Sequence, residues 1–184
     1  MVYRFIILSD EIGGFRRDIL IDADATFYDL HDAILDAAGY TKDQMTSFFI
    51  CGEDWTKEKE ITLIEMDTSS EEDSYVMGAV RLSDLLDEEC QKLLYVFEPL
   101  TERAFFMELK EIITGKSQPK AQCVKSDGTP PAQTTNFEEV ESKLQLSSIR
   151  PDDDINNDDD MPNFNEYDAD DFGNLVEENP FEGL

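Results

Sequence analysis

Hydrophobic and polar positions divide the first part of the chain into short segments of two different periodicities. Residues 2–8 are aromatic or branched apolar side chains interrupted only by Arg4, which is typical of a buried strand. Residues 15–21 predict a second strand, and Gly13 and Gly14 before it can adopt the positive φ of a tight turn. The chain is therefore predicted to open with a β-hairpin.

A helical period follows this hairpin. The side chains that recur at helical spacing are Phe27, Leu30, His31, Ile34 and Ala38. Thr26 is the expected N-cap and Asp29 completes the pattern of a capping box. Gly39 stands where many helices end in a left-handed residue. This segment is the one long amphipathic helix that the sequence predicts.

The next residues predict further strands joined by turns and loops. The expected strands are 46–51, 60–66 as a short edge strand, 92–97 and 104–113. Residues 67–74 are expected to form a loop, and residues 80–86 a one-turn helical corner. The order hairpin, helix, strand, short strand, corner, strand predicts an α+β fold of the β-grasp, or ubiquitin-like, type: a mixed sheet with one main helix.

The composition changes after residue 113, which sets the predicted domain boundaries. Residues 1–113 are expected to form the β-grasp-like core, and residues 114–135, rich in Pro and Gly, a loop or short hairpin extension. Residues 136–150 are expected to be a short helix or a linker. Residues 151–184 are expected to be an acidic disordered tail.

Several motifs in this order resemble the plasmid pRiA4b ORF-3-like family. The segments that carry the resemblance are 3–5 (Tyr-Arg-Phe), 15–19 (Phe-Arg-Arg-Asp-Ile), 26–34 (Thr-Phe-Tyr-Asp-Leu-His-Asp-Ala-Ile), 81–86 (Arg-Leu-Ser-Asp-Leu-Leu), 94–97 (Leu-Tyr-Val-Phe), 119–123 (Pro-Lys-Ala-Gln-Cys) and 128–131 (Gly-Thr-Pro-Pro). The resemblance covers roughly residues 1–135 and leaves the acidic tail outside. Residues 98–103 lack the tryptophan and glycine that the family commonly has there. Members are also described as passenger proteins of an insertion element, and the resemblance implies little about function.

Net charge excludes some classes of function. The chain carries −28, and residues 151–184 contribute thirteen of its acidic side chains and no lysine, arginine or histidine. Residues 1–150 carry the remaining −15, so direct nucleic-acid binding, which needs cations to neutralise phosphates, is not expected. No apolar run is long enough for a membrane span. Three widely spaced cysteines favour reduced thiols and a cytoplasmic location.

The tail combines its charge with apolar anchors, which indicates binding to a basic protein partner. The side chains predicted to contact that partner are Phe164, Tyr167, Phe172, Leu175 and Phe181. Thirteen like charges oppose collapse of the isolated segment, but disordered segments are usually poor in aromatic residues. The alternative interpretation is a charge brush that only keeps the protein soluble.

Three residues of the head are weaker candidates for partner contact. Trp55 could be a contact hot spot or a rim residue of the core. Arg16 and Arg17 could bind an anion or dock the tail; alternatively one is solvated and the other pairs with local carboxylates, because neighbouring strand residues face opposite sides.

His31 is expected to be a structural, hydrogen-bonded residue, since no second metal ligand or nucleophile accompanies it.

These observations predict a non-enzymatic adaptor or accessory subunit that binds a basic partner through its tail and sheet surface. No cofactor, metal or catalytic residue is predicted. The first alternative is a regulator whose tail imitates nucleic acid in the basic cleft of a DNA- or RNA-binding protein. The second, weaker alternative is an enzyme of unknown type, which would need a pocket with perturbed carboxylates.

Overall fold

Eight strands form one mixed sheet and one long helix packs across it in the computed structural model of the chain, which describes residues 1–65 and 75–135. The strands are β1 (Val2–Leu8), β2 (Arg16–Asp22), β3 (Ser47–Cys51), β4 (Lys57–Thr62), β5 (Tyr75–Val76), β6 (Lys92–Glu98), β7 (Arg103–Ile113) and β8 (Gln122–Asp127). The helices are α1 (Phe27–Ala38) and the one-turn α2 (Leu82–Leu85). The predicted α+β class, with a mixed sheet and one main helix, is confirmed.

The strand order in the sheet is β5-β4-β3-β6-β7-β1-β2-β8. The pairings are antiparallel from β4 through β8, and β4 pairs with β5 in parallel. The first strand, β1, lies between β2 and β7 and is antiparallel to both. The predicted opening hairpin and the strands at 92–97 and 104–113 are therefore present in the sheet.

Both ends of α1 are formed as the sequence predicts. The Thr26 hydroxyl accepts a hydrogen bond from the Asp29 N–H, and the Asp29 carboxylate accepts one from the Thr26 N–H at 2.8 Å, which completes the capping box. Gly39 closes the helix at φ 69°, in the left-handed region that glycine adopts without strain. Local sequence therefore sets the length of this helix.

One face of the sheet, which we call the helix face, forms the main core with α1 and α2. Its largest fully buried side chains are Tyr3, Phe5, Phe27, Phe48, Tyr95, Phe97 and Phe105. The Tyr3 hydroxyl donates a hydrogen bond to the Leu86 carbonyl at 2.6 Å, which fixes the helical corner against β1. Alternate residues of each strand point to the opposite side of the sheet.

That opposite side, which we call the second face, is also closed to solvent in its middle. It presents the side chains of Val2, Arg4, Ile6, Leu8, Arg16, Asp18, Leu94, Val96, Phe106 and Glu108. Ile6 and Leu8 form a small apolar cluster there with Trp55 and Phe106. The sheet therefore has two buried faces, of which the second is the smaller and more polar.

The edges of the sheet differ from the prediction. The strand expected at 60–66 is β4, which begins at Lys57, and its first four residues are all charged and exposed. A Lys-Glu-Lys-Glu run has no apolar alternation, so only pairing with β3 reveals it as a strand. The two-residue strand β5 was not predicted.

Residues 114–135, predicted as an extension of the core, lie against the head. Within 114–135, the expected loop or short hairpin contains β8, which pairs with β2 at the edge of the main sheet. Gly128, just after β8, packs so closely on the β1–β2 turn that an added Cβ would come within 3.0 Å of the Gly14 backbone. The described head therefore extends to residue 135. The predictions for 67–74, 136–150 and 151–184 lie outside the described residues.

Candidate functional site

An acidic groove runs along one side of α1. Its walls are the outer edge of the helix and residues 117–121, which follow β7, and its volume is ≈ 650 Å³. The apolar side chains that line it are Ile21, Ala25, Ala33, Pro119 and Ala121. Five aspartates border this lining: Asp22, Asp24, Asp29, Asp32 and Asp36.

Helical geometry places three of these aspartates in one row. Asp29, Asp32 and Asp36 are separated by three and four residues, so they lie on the same side of α1. Asp29 is held by the capping box, in which the Thr26 hydroxyl also lies 2.7 Å from its carboxylate. The spacing was visible in the sequence, but the opposite wall of the groove was not.

Asp22 joins the two walls of the groove. Its carboxylate accepts hydrogen bonds from the Asp24 N–H, the Gln118 N–H and the Ser117 hydroxyl, each at 3.1 Å. These bonds, led by the one from Asp24, lower the pKa of Asp22 below its usual value. The carboxylate is therefore held in its charged form at the end of β2.

Lys42 neutralises part of the charge at the other end of the row. Its ammonium lies 3.1 Å from an Asp32 carboxylate oxygen and 3.2 Å from one of Asp36. Hydrogen bonds to the carboxylates of Asp32 and Asp36 raise the pKa of Lys42, and the bond to Asp32 has the larger effect. Lys120 is the cation among the residues that line the groove. With five aspartates and these two lysines, the groove keeps an excess of negative charge.

The groove is suited to a cationic side chain. The aliphatic stem of a lysine or arginine can lie on the alanine and proline surface while its charged end meets the carboxylates. In the described part of the chain, no three histidine, cysteine, aspartate or glutamate side chains are grouped closely enough to hold a metal ion. The groove can therefore receive the side chain of a lysine or arginine.

The structure separates the two neighbouring arginines that the sequence singled out. Arg16 lies on the second face, where its Nε and Nη2 donate to Asp18 at 2.6 and 2.8 Å. The Arg4 Nη2 donates to the same carboxylate at 2.7 Å. Arg16 therefore pairs with a local carboxylate, as one of the two interpretations proposed.

Arg17 lies on the helix face and is not solvated. Its side chain is 5% exposed and donates to the carbonyls of Ala37 at 2.9 Å, Asp127 at 2.5 Å and Gly128 at 3.1 Å. The expectation that one of the two arginines is solvated is wrong, because Arg17 joins the end of α1 to the end of β8. The five N–H donors of a guanidinium can satisfy several carbonyls at once, which a sequence pattern does not show.

Trp55 lies on the second face, away from the groove. Its ring meets Phe106 edge to face at a centroid distance of 4.9 Å, and the Lys92 ammonium lies 5.1 Å from its centroid. It is half-buried and has φ 65°. Partner contact by Trp55, Arg16 and Arg17 stays a prediction.

His31 is a buried residue of the core. It is 2% exposed, and its Nδ1 lies 2.8 Å from the Tyr95 hydroxyl and 3.2 Å from the Thr46 hydroxyl. Burial lowers the pKa of His31. The negative charge of Asp32 opposes this effect and the positive charge of Lys42 adds to it, so the pKa lies below its usual value. This hydrogen-bonded position between α1 and β6 agrees with the structural role that the sequence suggested.

An ion cluster around Arg103 holds residues 132–135 against the β6–β7 turn. Arg103 donates to both oxygens of Glu11 at 2.8 Å and to Glu98 at 3.0 Å. The Thr135 N–H donates to Glu98 at 2.7 Å, and the Arg103 Nη2 donates to the Ala132 carbonyl at 2.7 Å. Partial burial raises the pKa of Glu98, but bonds from Thr101, Thr135 and Arg103 outweigh it, so the pKa falls to about 2. Pro131 and Gln133 contact Tyr40 and Thr41 beside the helix face, so within this segment it is Thr135 that is attached at the β6–β7 turn, next to the second face.

The apolar tail residues, the cysteines and the lengths of the helices complete the description of the predicted features. Phe164, Tyr167, Phe172, Leu175 and Phe181 lie outside the described residues. Cys51, Cys90 and Cys123 carry free thiols. Across residues 1–65 and 75–135, neither helix has the length and apolar character needed to cross a bilayer.

Comparison with known proteins gives a family and a fold. The sequence matches the family model described as plasmid pRiA4b ORF-3-like protein over residues 5–174. This match confirms the resemblance and extends it beyond residue 135 into the acidic segment, which had been placed outside. No curated protein sequence matches the chain.

A solved structure shares the fold. The crystal structure of a protein of unknown function from Methanosarcina mazei Go1 is similar with a TM-score of 0.57 and 18% sequence identity. The similarity covers 80% of this chain and 81% of the other. At this identity the similarity shows the fold alone.

Proposed function

Because this chain belongs to the plasmid pRiA4b ORF-3-like family, whose name states no activity, we propose its function from its surface. The protein is a non-enzymatic interaction module, an adaptor or accessory subunit, that binds a basic segment of a protein partner. The observation that carries this proposal is the groove beside α1, in which five aspartates border an apolar floor. The acidic tail provides a second anionic contact for the same partner.

Recognition would combine charge with a short apolar contact. A lysine or arginine stem would lie on Ala25, Ala33 and Ala121, and its charged end would reach Asp29 or Asp32. Exposed ion pairs of this kind contribute about 0.2–1 kcal/mol each and weaken with salt. The groove would therefore give a salt-sensitive affinity that increases with the number of basic side chains.

The experiment compares two charge-matched triple variants of the full chain. Asp24→Asn, Asp32→Asn and Asp36→Asn change the groove, whereas Glu53→Gln, Glu58→Gln and Glu60→Gln change exposed positions around β4. The probe is a fluorescent peptide of alternating arginine and glycine, and the readout is its anisotropy on titration. The groove variant should bind about tenfold more weakly, as expected for a loss of about 1.4 kcal/mol. Equal losses in both variants would show that only overall charge matters.

An imitation of nucleic acid is the second candidate function. Asp29, Asp32 and Asp36 form a row with a carboxylate about every 5 Å along α1, since a helix rises 1.5 Å per residue. Such a row, together with the acidic tail, could occupy a basic cleft that otherwise holds phosphates. A DNA- or RNA-binding protein captured by this chain should then be released by a nucleic-acid duplex. Release by salt but not by the duplex would favour the adaptor.

The non-enzymatic part of the proposal is supported by the chemistry of the groove. Hydrogen bonds lower the pKa of Asp22 in this groove, whereas a general acid needs a raised pKa. A cytoplasmic location is proposed on the cysteine usage alone.

We also infer that the sheet is an extended β-grasp. The order β1, β2, α1, β3, β4, α2, β6 supports this assignment, and β5 and β8 then extend the edges. On this view β7 is an additional strand placed between β6 and β1. Superposition of an experimental structure on ubiquitin-like proteins would test it: β1, β2, α1 and β6 should align, and a different crossing of α1 over the sheet would refute it.

A further inference from the structure

The second face is buried although no described helix or strand crosses it. Arg4 is 2% exposed and Ile6 is 0% exposed, and Val2, Leu8, Leu94 and Val96 are also buried. The buried apolar residues of α1 and α2 all belong to the helix-face core. Among residues 1–65 and 75–135, Trp55 packs over Phe106 on this face, and residues 131–135 lie at one end of it.

The second face has the chemistry of a surface that meets an anionic, aromatic segment. Apolar side chains at its centre are flanked by the paired Arg4, Asp18 and Arg16. Further cations line it, three of them beside carboxylates of the head: Lys57 over the Phe49 ring and 3.6 Å from Glu102, Lys110 3.5 Å from Glu108, and Lys125 4.0 Å from Asp127. Lys92 lies over the Trp55 ring. Six of the thirteen lysines and arginines in the described residues are therefore on this face, together with carboxylates such as Asp18 and Glu108.

We propose that residues 158–174 of the same chain cover the second face, with Phe164, Tyr167 and Phe172 on its apolar centre and their neighbouring carboxylates towards its cations. This inference goes beyond the proposed function, since it concerns the chain without a partner. It assigns the rings of the acidic tail to the head and leaves Leu175 and Phe181 for a partner. Burial of aromatic area would supply the attraction, and the cations would offset the repulsion within the acidic segment.

The point where the described chain ends favours this occupant over a second protein. Thr135 is attached to Glu98 on the second-face side, and a cavity of ≈ 580 Å³ lies between residues 131–135 and the Leu94, Val96 and Phe106 side chains. Strand geometry places Arg4 roughly 25 Å from that end of the sheet. Residues 136–157 can span about 70 Å when extended, so the segment reaches the whole face. Its attachment also raises its effective concentration there to about the millimolar range.

The family match supports the same boundary. It continues through the acidic segment and ends at residue 174, so 158–174 lie inside the matched region and 175–184 outside it. A second copy of this chain is a poorer occupant, because each copy carries a net charge of −28. The proposal therefore predicts a monomer whose acidic segment gives dispersed amide resonances, contrary to the disorder expected from composition.

Limited proteolysis of the intact, unmodified chain is the first test. Chymotrypsin cleaves after aromatic side chains, so it can act in principle at Phe164, Tyr167, Phe172 and Phe181. Cleavage at Phe181 should be fast, and cleavage at the other three sites at least about tenfold slower, because a covered site must first open. Equal rates at all four sites would overturn the proposal.

The second test uses Trp55, the single tryptophan of the chain, as a reporter on the second face. In the full-length protein, Phe164→Ser, Tyr167→Ser and Phe172→Ser together should shift its emission to the red and increase acrylamide quenching about twofold or more. Phe181→Ser is the matched control and should change neither. Far-UV circular dichroism verifies that the variants remain folded, and a peptide of residues 158–174 added in trans should reverse the change. Unchanged Trp55 quenching in a folded variant, or a wild-type dimer whose dissociation exposes Trp55, would refute the proposal.

Discussion

The Tyr95 hydroxyl lies 2.8 Å from the Nδ1 atom of His31, so the single histidine of the chain is bonded between α1 and β6. Both side chains are buried, and burial raises the pKa of Tyr95 while it lowers that of His31. Both groups therefore stay neutral, and the hydroxyl can donate to the unprotonated nitrogen. This pair holds the helix to the sheet and offers no group to a substrate in solvent.

The first prediction concerns acid stability. His31 stays neutral in the folded protein, whereas in the unfolded chain it takes up a proton below about pH 6.5. The free energy of unfolding should therefore decrease as the pH falls below that value. His31→Gln keeps an acceptor for Tyr95 and should make this dependence shallower between about pH 7 and 5. Urea unfolding at several pH values measures it. Loss of partner binding by a folded His31→Gln variant would contradict the structural role.

The second prediction concerns the seam between helix and sheet. Ile34 is buried in the main core, so Ile34→Asp would place a charge without a partner there and should cost about 3–5 kcal/mol, enough to unfold most of the protein. Tyr28→Asp, at an exposed position of the same helix, is the control and should cost less than about 1 kcal/mol. Thermal unfolding distinguishes them. Equal midpoints would show that α1 does not pack there.

The third prediction tests whether residues 114–135 belong to the head. Gly128 and Gly115 both have positive φ, at 66° and 75°, so an alanine at either position should cost about 1–2 kcal/mol in backbone strain. A Cβ at Gly128 would also collide with the backbone of Gly14 and Phe15, whereas nothing lies within 4 Å of a Cβ at Gly115. Gly128→Ala should therefore be the more destabilising in urea unfolding. Equal effects would mean that β8 is loosely attached.

The fourth prediction concerns the attachment of Thr135. The pKa of Glu98 is about 2, below its usual 4.5, so its ionised form stabilises the fold above about pH 4.5, and this stabilisation is lost as the pH falls towards 2. Glu98→Gln should remove about 1–3 kcal/mol at neutral pH and speed hydrogen exchange of the Thr135 amide. Glu102→Gln, an exposed neighbour, is the control. Unchanged exchange in Glu98→Gln would show that this contact does not hold the chain.

Local sequence determined the helix and the strands whose capping residues or apolar patterns lie within a few neighbouring positions. The capping box at Thr26 and Asp29, the left-handed Gly39 and the apolar period between them define α1 before any tertiary contact is known. The apolar runs of β1 and β6 are similar cases, because burial on both faces of the sheet demands continuous apolar strands. The α+β class followed from their order.

Only the tertiary structure decided where polar residues lie. Arg17 was indistinguishable from a surface arginine until the ends of α1 and β8 brought three carbonyls around it. The groove needed residues 117–121, distant in sequence, as its second wall, and β8 needed β2 as a partner, because an exposed polar strand has no periodicity of its own. Local periodicity indicates which side chains are buried. Contacts between segments about 100 residues apart depend on strand pairing, which a single short stretch of sequence does not indicate.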